Sequence, residues 1–150
     1  MGSFREDARV ETVTFSRADP AFAALAKRLA SVTGVYSLEI GGNVLRVGQS
    51  TQIGRRLNHH LHAAYGDARA PREEFPDHFE FHRELIGRKL TIRWLACSSE
   101  QRHALERAAI QEAPGGVVWE QLRTERDALK KHRQVGVLVR KMKEITASWG

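Results

Sequence analysis

The sequence is poor in cysteine and has no long apolar run, no internal repeat and no low-complexity tract. These absences exclude several classes of protein. Cys97 is the only cysteine among 150 residues, which excludes an intrachain disulfide and a metal site built from several thiolates. A single thiol is typical of a reducing compartment, so we expect a cytoplasmic protein. No apolar stretch approaches the roughly 18 residues of a membrane span, and the first residues lack the apolar core of a signal peptide. We therefore expect a soluble chain with no membrane partner.

Acidic side chains are fewer than basic side chains. Asp and Glu total 18 against 24 Lys and Arg, which gives a formal net charge of +6 and a pI near 10.0. An excess of cations favours a polyanionic partner, and nucleic acid is the simplest one. The charge alone leaves ordinary solubility open as its explanation. The length suits one compact domain, 1–150, that closes its own core.

The stretch 34–60, GVYSLEIGGNVLRVGQSTQIGRRLNHH, predicts two strands followed by a helix. Residues that tolerate positive φ, Gly41 to Asn43, separate two β-prone runs and so predict a hairpin. Arg56 and His60 lie four apart in the predicted helix, so both should project from one flank near the sheet edge. The buried face of this helix is predicted from spacings of four, four and three between Ile53, Leu57, Leu61 and Ala64.

The hairpin turn decides which face of the sheet carries Arg46. A three-residue turn, Gly41 to Asn43, would pair Leu38 with Arg46 and put Arg46 on the face of Tyr36. A two-residue turn at Gly41 and Gly42 would send Arg46 to the opposite face. The sequence leaves both alternatives open.

The rest of the chain predicts further strands and helices on either side of this stretch. Alternating apolar and polar residues from Leu90 to Cys97 predict the third strand of the sheet. Ser98 and Gln101 have the spacing of a capping box, which predicts the start of a helix that continues to Pro114. Near the N-terminus, a strand from Val10 to Phe15 at a sheet edge and a helix from Asp19 and Pro20 to Ser31 are predicted.

The C-terminal segment from Trp119 onward is basic and predicts an amphipathic helix, with eight Lys and Arg against four Asp and Glu. The helix could dock on its own domain, form a homodimer contact or clamp nucleic acid, and the sequence leaves these open. Its apolar positions are Leu138, Met142, Ile145 and Trp149.

Four short patterns together resemble the GIY-YIG nuclease family. They are Gly34-Val35-Tyr36, Arg46-Val47-Gly48, the pair Arg56 and His60, and the series Glu106, Ile110 and Pro114 with three residues between each. The resemblance implies a mixed α/β domain, with a small, mainly antiparallel three-stranded sheet flanked by helices. The nuclease-like core would be 34–114, with a strand-and-helix addition at 1–33 and a basic helical extension at 115–150.

The resemblance also implies an activity, which is metal-dependent hydrolysis of DNA phosphodiester bonds. Glu106 would hold Mg²⁺ or another divalent cation, because hard cations take oxygen ligands and keep several waters. The implied catalytic residues are Tyr36, Arg56, His60 and Glu106. The candidate substrate-binding residues are Arg46, Gln49, Ser50, Arg55 and His59.

Two departures from the family pattern keep a second interpretation open. Arg46 stands where the family has its second tyrosine, and PGGVVWEQL at 114–122 offers no counterpart to the family's asparagine. The alternative is a catalytically impaired module that binds nucleic acid, DNA or RNA, without cutting it. Histidines three or four apart, His59 with His62 and His78 with His82, leave a zinc site as a lesser alternative.

Overall fold

The computed structural model describes residues 3–66 and 82–121, together with the isolated positions 144 and 147. Residues 118–121 are helical and follow the last named element. Gly66, Pro71 and Pro76 predict a loop over residues 65–77. Most of this loop and most of the predicted C-terminal helix lie outside the described residues. In chain order the elements are α1 (Phe4–Asp7), β1 (Arg9–Thr14), α2 (Pro20–Arg28), β2 (Gly34–Ile40), β3 (Asn43–Ser50), α3 (Ile53–Ala64), β4 (Lys89–Ala96) and α4 (Arg102–Glu112).

The fold is mixed α+β, as predicted, around an antiparallel sheet of four strands in the order β1-β4-β2-β3. The predicted count of three is therefore one too low. The fourth strand is the N-terminal one, which pairs along β4 from Arg9↔Trp94 to Thr14↔Lys89. Without β1, the outer backbone groups of β4 would lack ladder partners, so the N-terminal strand completes the sheet.

Helices cover both faces of the sheet, and β2 is consequently buried at all seven positions. On one face Tyr36 reaches His60 of α3, and α2 packs against α3. On the other face Glu39 reaches Arg5 of α1, and α1 packs against α4. Alternating side chains of a strand point to opposite faces, so β2 contributes to both layers of the core.

A buried carboxylate ties the short helix α1 to the sheet. Glu39 is only 2% exposed and accepts hydrogen bonds from Arg5 at 3.1 and 3.2 Å, from Arg93 at 2.8 Å and from the hydroxyl of Ser37 at 2.8 Å. The backbone N–H of Phe4 donates to the carboxylate of Glu112 in α4 at 3.1 Å. These contacts hold a four-residue helix that is too short to be stable by itself.

The β2–β3 hairpin combines the two turn alternatives. Gly41 and Gly42, both at positive φ, form a two-residue turn that pairs Ile40 with Asn43. The register shifts between Leu38 and Glu39, so one extra residue is accommodated in β3 and Leu38 pairs with Arg46. Arg46 therefore lies on the face of Tyr36, although the turn is the shorter one.

The helix predictions succeed at α2 and α3 and fail at the start of α4. Asp19 caps α2 by accepting the N–H of Ala21 at 3.0 Å, although the helix ends at Arg28 rather than at Ser31. The predicted capping box is wrong, because α4 begins at Arg102 and Gln101 makes no side-chain cap bond. Instead, the N–H of Gln101 donates to the carbonyl of Ser98 at 3.1 Å, so these residues form a turn that leads out of β4.

Candidate active site

A cavity of about 550 Å³ opens between β3, α3, α4 and residues 118–121, and we call it the main cavity. Two carboxylates, Glu106 and Glu120, line it among basic side chains. Its position at the edge strand β3 gives it access from solvent. The arginines that line it are Arg46, Arg56, Arg102 and Arg107.

Most of the predicted site residues line this cavity. Tyr36, Arg56 and Glu106, three of the four predicted catalytic residues, come from β2, α3 and α4, and the predicted substrate-binding residues Arg46, Gln49 and Ser50 come from β3. His60 lies behind Tyr36 and does not line the cavity. Arg55 and His59 line a neighbouring cavity of about 270 Å³, the second cavity, which shares Ser50 and Arg56 with the main one.

Gly48 lets Tyr36 reach the cavity. The two residues pair across β2 and β3, so their side-chain positions lie on the same face. A Cβ atom at Gly48 would lie 2.5 Å from the hydroxyl oxygen of Tyr36 and 2.5 Å from its ring carbon Cζ. The phenol therefore crosses β3 where no side chain exists.

Tyr36 and His60 form a buried hydrogen-bonded pair, with 2.6 Å between the phenol oxygen and Nε2. Burial raises the pKa of Tyr36 above its ordinary value, while the charges of Arg46 and Arg56 and a hydrogen bond from Arg56 act to lower it. The charge of Glu106 adds to the upward shift. Because a guanidinium only donates, Tyr36 accepts from Arg56, and with Nε2 of His60 unprotonated the phenol donates its own proton to that nitrogen.

His60, predicted to share a helix flank with Arg56 near the sheet edge, is buried. It is only 2% exposed, because Tyr36 covers it on one side and the ring of His82 stacks on it at 4.7 Å between centroids. The ring centroids of His82 and Trp119 are 6.0 Å apart, and the guanidinium carbon of Arg46 lies 4.2 Å from the ring centroid of Trp119. A series of buried ring contacts thus connects the phenol–imidazole pair with a cation of the main cavity.

Sequence reasoning missed several residues of this site, and for one of them a signal existed. Arg102 precedes Glu106 by four residues, so the two share a face of α4 and both line the cavity. Arg102 also donates hydrogen bonds to the side chain of Gln49 on β3 and to Ser99. The sequence suggests His82 only as a zinc ligand with His78, and nothing local in it points to the contacts of His82 with His60 and Trp119, which are far away along the chain.

The donor set of the main cavity suits a phosphate with a hard cation. Glu106 and Glu120 offer carboxylate oxygens, which Mg²⁺ prefers, and Mg²⁺ commonly needs only one or two protein carboxylates. Guanidinium groups are the preferred partners of phosphate oxygens. The described parts of the chain contain no group of three or more His, Cys, Asp or Glu placed to hold a metal ion, and His78 of the zinc alternative lies outside them.

The fold brings four arginines and two carboxylates together around one cavity, with a buried phenol–imidazole pair at its back. Comparisons of the chain with models of protein families, with curated proteins and with solved structures gave no match. Within the described ranges, no helix has both the length and the apolar character needed to cross a membrane. The function therefore has to be argued from the site.

Proposed function

We propose that this protein is a metal-dependent endonuclease of GIY-YIG type that hydrolyses DNA phosphodiester bonds. The observation that carries the proposal is the main cavity, in which a phenol, a guanidinium and a carboxylate from three separate elements meet. Tyr36, Arg56 and Glu106 are 20 and 50 residues apart along the chain and nevertheless line one space. Their convergence is what the sequence resemblance requires of a working site.

Glu106, together with Glu120, would hold the divalent cation at one wall of the cavity. A bound Mg²⁺ would supply Lewis-acid polarisation of a phosphoryl oxygen and would activate water. The carboxylates lie on α4 and on the helical residues 118–121, and both of these segments border β3. The two carboxylates therefore converge on the same space as the cations.

Tyr36 and His60 would manage the proton of the attacking water. Because its pKa is raised, Tyr36 stays protonated at neutral pH and is not a standing phenolate base. Its oxygen can accept a proton from water only as its own proton passes to Nε2 of His60, 2.6 Å away. The buried imidazole is then the final proton acceptor, and the phenol carries the proton to it.

The arginines would stabilise the charge that develops on the phosphate. Arg56 sits beside the Tyr36 hydroxyl, where the nucleophile would approach. Arg46, on the same sheet face, is held over Trp119, so its guanidinium has one preferred position. Preorganised cations of this kind contribute most where water is excluded.

A second candidate function, a module that binds nucleic acid without cutting it, is favoured by Arg46 itself. The guanidinium on the face of Tyr36 stays protonated at any physiological pH and cannot act as a base. It can bind a phosphate oxygen in two-point fashion. In this case the cavity would dock the DNA backbone and the chemistry would have lapsed.

A plasmid-nicking assay distinguishes the two candidates. The natural chain is expected to nick supercoiled plasmid with Mg²⁺ and to stop when a chelator is added. Glu106→Gln should abolish nicking with the fold and DNA binding kept, because it removes an anionic ligand of the metal at nearly constant volume. Glu100→Gln, which changes an exposed residue just before α4, is the matched control and should cut normally.

DNA binding without nicking by the natural chain would refute the endonuclease and support the second candidate. Unchanged nicking by Glu106→Gln would show that Glu106 does not hold the metal. Arg46→Tyr adds a further comparison, because a sharp rise in cutting from an undetectable level would mean that the natural site is catalytically impaired.

A further inference from the structure

The second cavity adjoins the main cavity and is built differently. Its volume is about 270 Å³, roughly nine times the share of one water molecule in the liquid. Ser50 and Arg56 line both cavities, so the two spaces meet at these side chains. We propose that the second cavity holds the phosphate adjacent to the scissile one, so that the substrate is a polynucleotide strand. This inference rests on the proposed function, in which the scissile phosphate occupies the main cavity.

Helix α3 serves both cavities with two rows of side chains. Arg56 and His60, four residues apart, face Tyr36, whereas Arg55 and His59, also four apart, line the second cavity. Adjacent rows of an α-helix are about 100° apart, and residues four apart have Cβ atoms about 5–6 Å from each other. One rigid helix can thus contact two successive phosphates without rearranging.

The charges of the second cavity suit an anion rather than a metal. Arg55, Arg56 and His59 line it, and its described lining includes no carboxylate, in contrast to the main cavity. Guanidinium groups bind phosphate oxygens through charge-assisted hydrogen bonds. A phosphate that is bound but not cut needs cations and no metal ligand, and this is the composition of the second cavity.

Hydrogen bonds beside the second cavity connect the side chain of Arg55 to the end of β3. The guanidinium of Arg55 donates to the side-chain oxygen of Gln52 at 3.3 Å, and the N–H of Gln52 donates to the hydroxyl of Ser50 at 2.9 Å. Ser50 is the last residue of β3 and Gln52 precedes α3, so this chain of contacts links the strand to the helix. These contacts direct the guanidinium of Arg55 toward the end of β3, where the two cavities share Ser50.

Small chromogenic substrates can test for a second phosphate site. One pair is thymidine 5′-(p-nitrophenyl phosphate) with and without a 3′-phosphate, and the other is thymidine 3′-(p-nitrophenyl phosphate) with and without a 5′-phosphate. With Mg²⁺, the natural chain is expected to hydrolyse one of the phosphorylated forms with a kcat/KM about tenfold above its unphosphorylated partner, the gain expected from one charge-assisted contact. The pair that shows the gain defines the direction of the strand.

Variants then assign the gain to the second cavity. The double variant Arg55→Ala/His59→Ala should reduce the tenfold preference to nearly one, mainly through KM. The control Arg9→Ala removes one cation from the edge strand β1, at the opposite edge of the sheet, and should keep the full preference. A natural chain without any preference, or a double variant that slows both forms equally, would overturn the second phosphate site.

A calorimetric comparison separates this inference from the proposed function. If the natural chain hydrolyses none of these substrates or plasmid DNA, the endonuclease fails, and binding becomes the test of the second site. Thymidine 3′,5′-bisphosphate should then bind about tenfold tighter than thymidine 5′-monophosphate, with the advantage lost in Arg55→Ala/His59→Ala. Equal affinities for the two nucleotides would refute the second phosphate site.

Discussion

At the scale of single residues, the ionisation of Tyr36 reports on the charges of the main cavity. The chain has only two tyrosines, so a Tyr65→Phe background leaves Tyr36 as the sole tyrosine. Arg46→Met removes a charge that lowers the pKa of Tyr36, so the pKa should rise further above about 10. Glu106→Gln removes a charge that raises it, so the pKa should fall. Ultraviolet difference absorbance of tyrosinate along a pH titration measures both shifts.

The same titration carries a stability prediction with a definite sign. Because the pKa of Tyr36 is higher in the folded than in the unfolded chain, its contribution to stability is fully present below about pH 10 and is lost as pH rises through the folded value.

Glu100→Gln, away from the cavity, serves as the control and should leave the titration unchanged. Shifts of the wrong sign in either cavity variant would mean that Arg46 and Glu106 do not face the phenol.

Residues that follow a spaced motif were predictable, and residues that depend on long-range packing were not. Tyr36, Arg56 and Glu106 were each selected because they belong to a pattern with fixed spacing, and all three line one cavity. The face of Arg46 stayed open, since one extra residue in β3 reverses the outcome of the turn and the sequence does not mark it. The stack of His60 on His82 joins residues 22 apart in the chain, so no local pattern could predict it.

At the scale of elements, α2 and α3 approach so closely that there is no room for a side chain at position 54, which is a glycine. A Cβ atom there would lie 1.9 Å from the carbonyl oxygen of Ala26 and 2.7 Å from the backbone nitrogen of Ala30. The N–H of Gly54 also donates to the carbonyl of Leu29 at 2.9 Å, which fixes the start of α3 against the end of α2. The orientation of the helix that carries Arg56 and Arg55 therefore depends on this contact.

Gly54→Ala should destabilise the protein, although glycine to alanine within a helix ordinarily gains up to about 1 kcal/mol. The clash is with backbone atoms that cannot rotate away, so we expect a loss of about 1–3 kcal/mol, as in overpacked cores. Chemical denaturation measures the change. Asn58→Ala, one turn further along α3, is the control and should lie within about 0.5 kcal/mol of the natural chain. A stabilised Gly54→Ala variant would disprove the close α2–α3 contact.

Elements were predictable where amphipathic periodicity is strong. The four apolar residues that predict the buried face of α3, Ile53, Leu57, Leu61 and Ala64, are all buried in the helix. The start of α4 was missed by a few residues, since Ser98 and Gln101 have capping-box spacing and yet serve a turn that leads out of β4. The strand count was too low because β1 belongs to an N-terminal segment that was regarded as an addition to the core.

At the scale of the whole molecule, the two joined cavities carry an excess of positive charge. Five arginines line the two joined cavities against two carboxylates, namely Arg46, Arg55, Arg56, Arg102 and Arg107. The net charge of these seven side chains is +3. A local field of this kind would attract a polyanion and orient it toward β3. Part of the basic composition read from the sequence thus lies at the two cavities.

The salt dependence of DNA binding tests this excess of charge. If the five cations neutralise three to five phosphates of a duplex, the logarithm of the binding constant should fall with the logarithm of salt concentration with a slope between about −3 and −5. Arg102→Ala/Arg107→Ala should make the slope shallower by about 2, since each lost phosphate contact contributes about 0.9. Fluorescence anisotropy of a labelled duplex over a range of salt concentrations gives the slopes.

The control for this measurement removes two arginines at the other edge of the sheet. Arg9 and Arg28 line a separate cavity beside β1, so Arg9→Ala/Arg28→Ala changes the net charge equally without touching the main cavity. Counterions are released only where phosphates are contacted, so this variant should keep the slope of the natural chain. If both double variants reduce the slope equally, DNA binds through overall charge and its path does not run along the main cavity.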